Sequence, residues 1–121
     1  MAKKILVVDD EEDVRIIVKK LLEEEGYKIS TAKNGVECLN ILRKQKFDLV
    51  LIDFLMPSMS GRELARRIRK DSSIKNTKFA FLTIVQFGKE GIRELKKLGS
   101  LDYIKKPFDN NELKARIKKI A

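Results

Sequence analysis

The feature that most constrains this chain is an alternation repeated five times, a short apolar run followed by a segment with helical apolar spacing. The runs lie at residues 5–8, 28–32, 49–52, 79–82 and 101–104. Two of them, Ile-Leu-Val-Val and Leu-Val-Leu-Ile, show no polar alternation, which predicts strands covered on both faces, as in a parallel sheet. Between the runs, Val14, Ile17, Val18, Leu21 and Leu22 form one helical stripe, with Gly26 placed to end it. Val36, Leu39 and Leu42 mark a second helix, and Leu64, Ala65 and Ile68 a third. Ile92, Leu95 and Leu98 mark a fourth, closed by Gly99. Leu113, Ile117 and Ile120 mark a fifth, with Asp109, Asn110 and Asn111 offering N-cap side chains. Five strand–helix units predict an α/β fold: a five-stranded parallel sheet with right-handed crossovers and helices on both faces. At 121 residues the whole chain, 1–121, reads as one domain.

That architecture directs attention to the strand ends, because ligands of open parallel sheets sit outside the carboxyl ends of the strands, where strand order reverses. For strand order 2-1-3-4-5 the reversal lies between the first and third strands. Asp9 and Asp10 follow the first run, and Asp53 follows the third. Carboxylates gathered at one sheet edge repel one another and lose hydration, so a shared cation stabilises them. Mg2+ suits such a site, taking one or two carboxylates and a carbonyl while keeping several waters. An acid pair before a helix is also what a helix N-terminus favours, so Asp9-Asp10 alone says little. Asp53 says more: it ends its run abruptly before the turn Phe-Leu-Met-Pro-Ser-Met-Ser-Gly61. A carboxylate there has the chemistry of a nucleophile toward phosphorus. Thr83 ends the fourth run, and Lys105-Lys106-Pro107-Phe108 follows the fifth. A hydroxyl and an ammonium at neighbouring strand ends suit the oxygens of a phosphoryl group.

Composition removes several alternatives. The chain has no histidine, which excludes Ser-His-Asp and Cys-His catalysis, and its single cysteine excludes internal disulfides and zinc-thiolate clusters. Cys38 reads as a small buried hydrophobe. No targeting segment precedes the acidic stretch Asp9–Asp13, and no apolar run approaches the ~20 residues of a membrane helix. Cysteine usage fits a cytoplasmic setting with no membrane contact. The net charge of +9 is uneven: residues 1–61 hold 10 basic and 11 acidic side chains, residues 62–121 hold 17 and 7. Such asymmetry suits either solvated helix faces or an acidic partner. Direct nucleic-acid binding is disfavoured, because aromatic residues do not interleave with the basic ones. Neither G-x-G-x-x-G nor G-x-x-x-x-G-K-[ST] is present. A phosphatase of the D-x-D type is disfavoured because Asp53-Phe-Leu55 lacks the second acid.

Taken together and in order, Ile5-Leu-Val-Val-Asp-Asp10, Leu49-Val-Leu-Ile-Asp53, Met56-Pro-Ser-Met-Ser-Gly61, Leu82-Thr83 and Asp102-Tyr-Ile-Lys-Lys-Pro-Phe108 carry a resemblance. The chain resembles the response-regulator receiver domain of two-component signalling, the flavodoxin-like, chemotaxis-regulator type, over essentially its whole length. The resemblance implies that Asp53 accepts a phosphoryl group from a histidine of a partner sensor kinase or phosphotransfer protein. It implies Mg2+ held by Asp10, Asp53 and the carbonyl of Leu55, with Asp9 acting chiefly through water. It further implies that Thr83 and Lys106 contact the phosphoryl oxygens and that the Lys106–Pro107 bond is cis. Thr83 and Tyr103 would be the switch pair, altering the face of the fourth helix, fifth strand and fifth helix for a downstream protein target or a phosphorylation-dependent dimer. Such a chain is a signalling switch rather than a turnover enzyme, catalysing only its own phosphorylation and slow dephosphorylation. The alternative is a receiver-fold binding module acting without phosphorylation. That alternative rests on Ile84, which stands where relatives carry a small residue and could crowd Asp53. Leu55 and Val85, both apolar, predict slow loss of the phosphoryl group. The chain ends at Ala121 just after the fifth helix pattern, as in a free-standing receiver or a piece of a longer protein.

Overall fold

The computed structural model describes residues 2–121. Its five parallel strands are β1 (Lys4–Val8), β2 (Lys28–Ala32), β3 (Leu49–Ile52), β4 (Phe79–Thr83) and β5 (Ser100–Lys105), in the order β2-β1-β3-β4-β5. The helices are α1 (Glu12–Glu24), α2 (Gly35–Lys44), α3 (Gly61–Lys70), α4 (Lys89–Lys97) and α5 (Asn110–Ile120). The order reverses between β1 and β3, which pair from Ile5↔Leu49 to Val8↔Ile52. Strand alternation distributes the core between two layers. Ile5, Val7, Leu49, Leu51, Ala80, Leu82 and Ile104 pack against Val18 and Leu22 of α1 and Leu113 and Ile117 of α5. Leu6, Val8, Val50, Ile52, Phe79 and Phe81 pack against Cys38 and Leu39 of α2, Leu64 and Ile68 of α3, and Leu95 of α4. Burial on both faces explains why the apolar runs of β1 and β3 carry no polar alternation.

The helix starts and stops follow local chemistry. Asn34, Ser60 and Asp109 accept hydrogen bonds from the backbone N–H of Glu37, Glu63 and Glu112, capping α2, α3 and α5. Gly26, at φ +92°, ends α1 in a Schellman turn: its N–H donates to Glu23 O at 3.0 Å, and the Tyr27 N–H donates to Leu22 O at 3.2 Å. Two expectations about the helices are corrected. Ile17 is 50% exposed, and the buried stripe of α1 is Val18, Leu21 and Leu22. Val36 is 58% exposed, because α2 turns Gly35, Cys38, Leu39 and Leu42 inward instead. Burial pushes the Cys38 thiol up to about 12, which leaves it unreactive. Among the described residues, no helix is long and apolar enough to cross a membrane.

Candidate phosphoacceptor and cation site

The carboxyl ends of β1 and β3 deliver the acids. Hydrogen bonding continues past both strands: Asp9 N–H donates to Ala32 O at 3.1 Å and Asp53 N–H to Val8 O at 2.9 Å. This fixes the backbone of both residues at the reversal point and directs their side chains to a common place. Carboxylate oxygens of Asp9, Asp10 and Asp53 lie within 4.8 Å of one another. Asp9 and Asp53 are buried, Asp53 only 4% exposed, while Asp10 faces solvent. Asp9 is not a helix cap in the ordinary sense. The N-cap of α1 is Glu11, whose side chain caps nothing, and Asp9 Oδ1 accepts the Glu11 N–H at 2.9 Å.

Lys106 enters from the end of β5, where its backbone N–H donates to Thr83 O at 2.8 Å. The Lys106–Pro107 peptide is cis. The lysine is 9% exposed, and its Nζ lies 2.7 Å from Asp9 Oδ2 and 3.8 Å from Asp53 Oδ2. Lys105, by contrast, is exposed and reaches Gln86. Thr83 is buried, and its Oγ1 accepts the Val85 N–H at 3.2 Å, leaving the hydroxyl proton free to donate elsewhere. Burial is the main reason the Asp53 carboxyl is pushed up to about 6. The negative charges of Asp9 and Asp10 add to it, while Lys106 and the Leu55 N–H oppose it.

Two supports were not legible beforehand. A side-chain carbon on Gly61 would stand 2.5 Å from the Asp53 carbonyl oxygen and 2.7 Å from Phe54 Cα, so only glycine lets α3 begin against the site's backbone. A run of edge-to-face rings links the residue after Asp53 to β5: Phe81–Phe54 at 5.3 Å, Phe54–Phe87 at 5.0 Å and Phe87–Tyr103 at 5.2 Å. Tyr103 is half-buried, and its hydroxyl accepts the Phe87 N–H at 3.3 Å. Phe54 and Phe87 lie in loops with no apolar periodicity, which is why sequence reading passed over them. Ile84 is 63% exposed and Leu55 also faces solvent.

The match to known proteins decides the family. A family model described as the response regulator receiver domain covers residues 5–118. The chain belongs to the response-regulator receiver family. This receiver is 36% identical over 121 residues to the sporulation initiation phosphotransferase F of Bacillus subtilis, covering 98% of this chain and 94% of that protein. It is 40% identical over 119 residues to the transcriptional regulatory protein CrdR of Helicobacter pylori, of which it spans 55%. Among solved structures it superposes on the chemotaxis response regulator CheY4 of Vibrio cholerae with a TM-score of 0.91 and 31% identity, covering both chains in full. It matches the response regulator TrrA of Thermotoga maritima, solved in complex with Mg(2+)-BeF, with a TM-score of 0.83 and 40% identity over 98% of this chain and 99% of that one.

Proposed function

We propose that this receiver is a phosphorylation-controlled switch whose Asp53 takes a phosphoryl group from a histidine of a sensor kinase or phosphotransfer protein. The observation that carries the reading is the convergence of Asp9, Asp10, Asp53 and the buried Lys106 at one sheet edge. In the transfer an Asp53 carboxylate oxygen attacks phosphorus in line, the phosphorus–nitrogen bond to the donor imidazole breaks, and the bond's electrons return to that nitrogen. Lys106 neutralises charge on the phosphoryl oxygens, and the Thr83 hydroxyl donates to one of them.

The donor set fits a hard divalent cation, since three carboxylates face a single buried ammonium and the group carries surplus negative charge. The complex of the Thermotoga relative with Mg(2+)-BeF supports Mg2+ as that cation. Asp10, Asp53 and the Leu55 carbonyl would hold it, with Asp9 acting through water. When bound, Mg2+ supplies charge neutralisation for the incoming phosphoryl oxygens.

Once Asp53 is phosphorylated, Thr83 moves toward the new oxygens and Tyr103 rotates inward, reshaping the face of α4, β5 and α5 for a protein target. The switch is then a population shift driven by one local change of charge. The test is to incubate the protein with a small acyl phosphate and Mg2+ and weigh it intact beside Asp53→Asn. The parent alone gains one phosphoryl mass. A gain retained in Asp53→Asn, or phosphate released over many turnovers, refutes the reading.

A further inference from the structure

Helix α1 begins differently from α2, α3 and α5. Those three are capped by a side-chain oxygen, whereas the N-cap of α1, Glu11, makes no such bond. The turn between β1 and α1 nevertheless carries two of the three clustered acids, Asp9 and Asp10. Besides the local bond from the Glu11 N–H to Asp9 Oδ1, a longer reach also holds it. The half-buried Arg15, one helical turn inside α1, reaches back and donates from Nη1 to the Asp9 carbonyl oxygen at 2.6 Å. Asp9 is thereby gripped on three sides: Arg15 on its carbonyl, the Glu11 N–H on Oδ1, and Lys106 on Oδ2. Among the described residues, Asp10 has no comparable anchor. Its backbone N belongs to the peptide unit that begins at the Asp9 carbonyl, and that carbonyl is the atom Arg15 holds.

We infer that Arg15 is a positioning residue for the cation site, its guanidinium setting the orientation of the Asp9–Asp10 peptide and so of the Asp10 carboxylate. The inference rests on the reading of the acid cluster as a Mg2+ site. Removing a group that orients a metal's ligands typically costs roughly 10–100-fold in metal affinity. Arg15 is also a positive charge near a cation site, and that contribution has the opposite sign. If charge were its only effect, removing it would tighten Mg2+ binding, and added salt would shrink the change. If the grip on the carbonyl dominates, removal weakens binding, and salt leaves the loss in place. The direction of the change therefore separates the two roles.

The experiment is a calorimetric titration of the full chain with MgCl2 at low and high salt, comparing the parent with Arg15→Gln and Arg15→Met. Amide hydrogen exchange of the metal-free proteins is read alongside. Both variants are expected to bind Mg2+ about tenfold more weakly at either salt concentration. Exchange at Glu11, whose N–H is held by Asp9 Oδ1, is expected to quicken without a matching loss of global stability in EDTA. Unchanged or tighter Mg2+ binding in the variants overturns the inference, as does protection at Glu11 equal to the parent's. A parent that takes up no Mg2+ overturns the cation reading itself. Exchange at Glu11 is measured without metal, so it judges Arg15's grip on the turn even where a variant binds no ion.

Discussion

Replacing Asp53 by asparagine should stabilise the metal-free protein at neutral pH and leave it nearly unchanged in acid. Asp53 is 4% exposed and its carboxyl is raised from 3.8 to about 6, chiefly by burial. Because the folded-state value is raised, the folded protein keeps a proton that the unfolded chain gives up between about pH 4 and pH 6. Folding stability therefore declines across that window and levels off above it. A gap of roughly two units at 1.36 kcal/mol each amounts to about 3 kcal/mol. Asparagine stays neutral throughout and avoids that loss. In EDTA, urea melts of Asp53→Asn and the parent should differ by about 3 kcal/mol at pH 7.5, or roughly 10 °C in Tm, and should converge near pH 4. Adding Mg2+ should narrow the difference, because the cation stabilises the parent more. A stability difference equal at both pH values, or one favouring the parent at pH 7.5, would refute the account of Asp53 as a buried acid whose ionisation costs folding stability.

Three further outcomes follow from particular contacts. Gly61→Ala drives a methyl group against the Asp53 and Phe54 backbone, so it should lose about 1–3 kcal/mol in urea melts and weaken the stabilisation by Mg2+; a midpoint equal to the parent's counts against that close approach. Arg69→Met removes a guanidinium that donates to the carbonyls of Lys75, Thr77 and Gly99 and lies 4.5 Å over Phe79, so it should lose about 3 kcal/mol; a loss below about 1 kcal/mol means solvent already serves those carbonyls. In the phosphorylated protein, the double change Leu55→Asn with Val85→Glu places polar groups where both positions are apolar, so it should shorten the phosphoryl lifetime at least about tenfold by orienting a water, and an unchanged lifetime sinks that explanation.

The frame of the molecule was open to reading because it depends on short-range pattern. The runs at 28–32 and 49–52 became β2 and β3 with the same bounds, and Asp9, Asp10 and Asp53 were placed by the rule for strand ends. β4 and β5 each run on to include polar residues, Thr83 in one and Ser100 and Lys105 in the other, since pairing continues wherever a partner strand is present. Ile17 and Val36 were misassigned because counting apolar residues treats every isoleucine and valine as core. The sheet instead selected the helix faces that fit against it, and in α2 that face includes Gly35 and Cys38. The site's supporting contacts join positions with no shared pattern. Lys106 meets Asp9 across 97 positions, and Gly61 is required by a clash that exists only once β3 and α3 are in place.

Arg69 ties together three segments at one rim of the molecule. One guanidinium fastens the last turn of α3 to the approaches of both β4 and β5, at the rim opposite Asp53. That rim is fastened by a single side chain, while the turns around Asp53 are joined by aromatic edges, backbone hydrogen bonds past the strand ends and the Lys106–Asp9 pair. A rearrangement begun at the acids would meet Arg69's fastening only at the far rim of β4 and β5. A target seated on α4 and β5 would accordingly feel the strongest displacement at the ends of those elements nearest the acids, with little change beside Gly99.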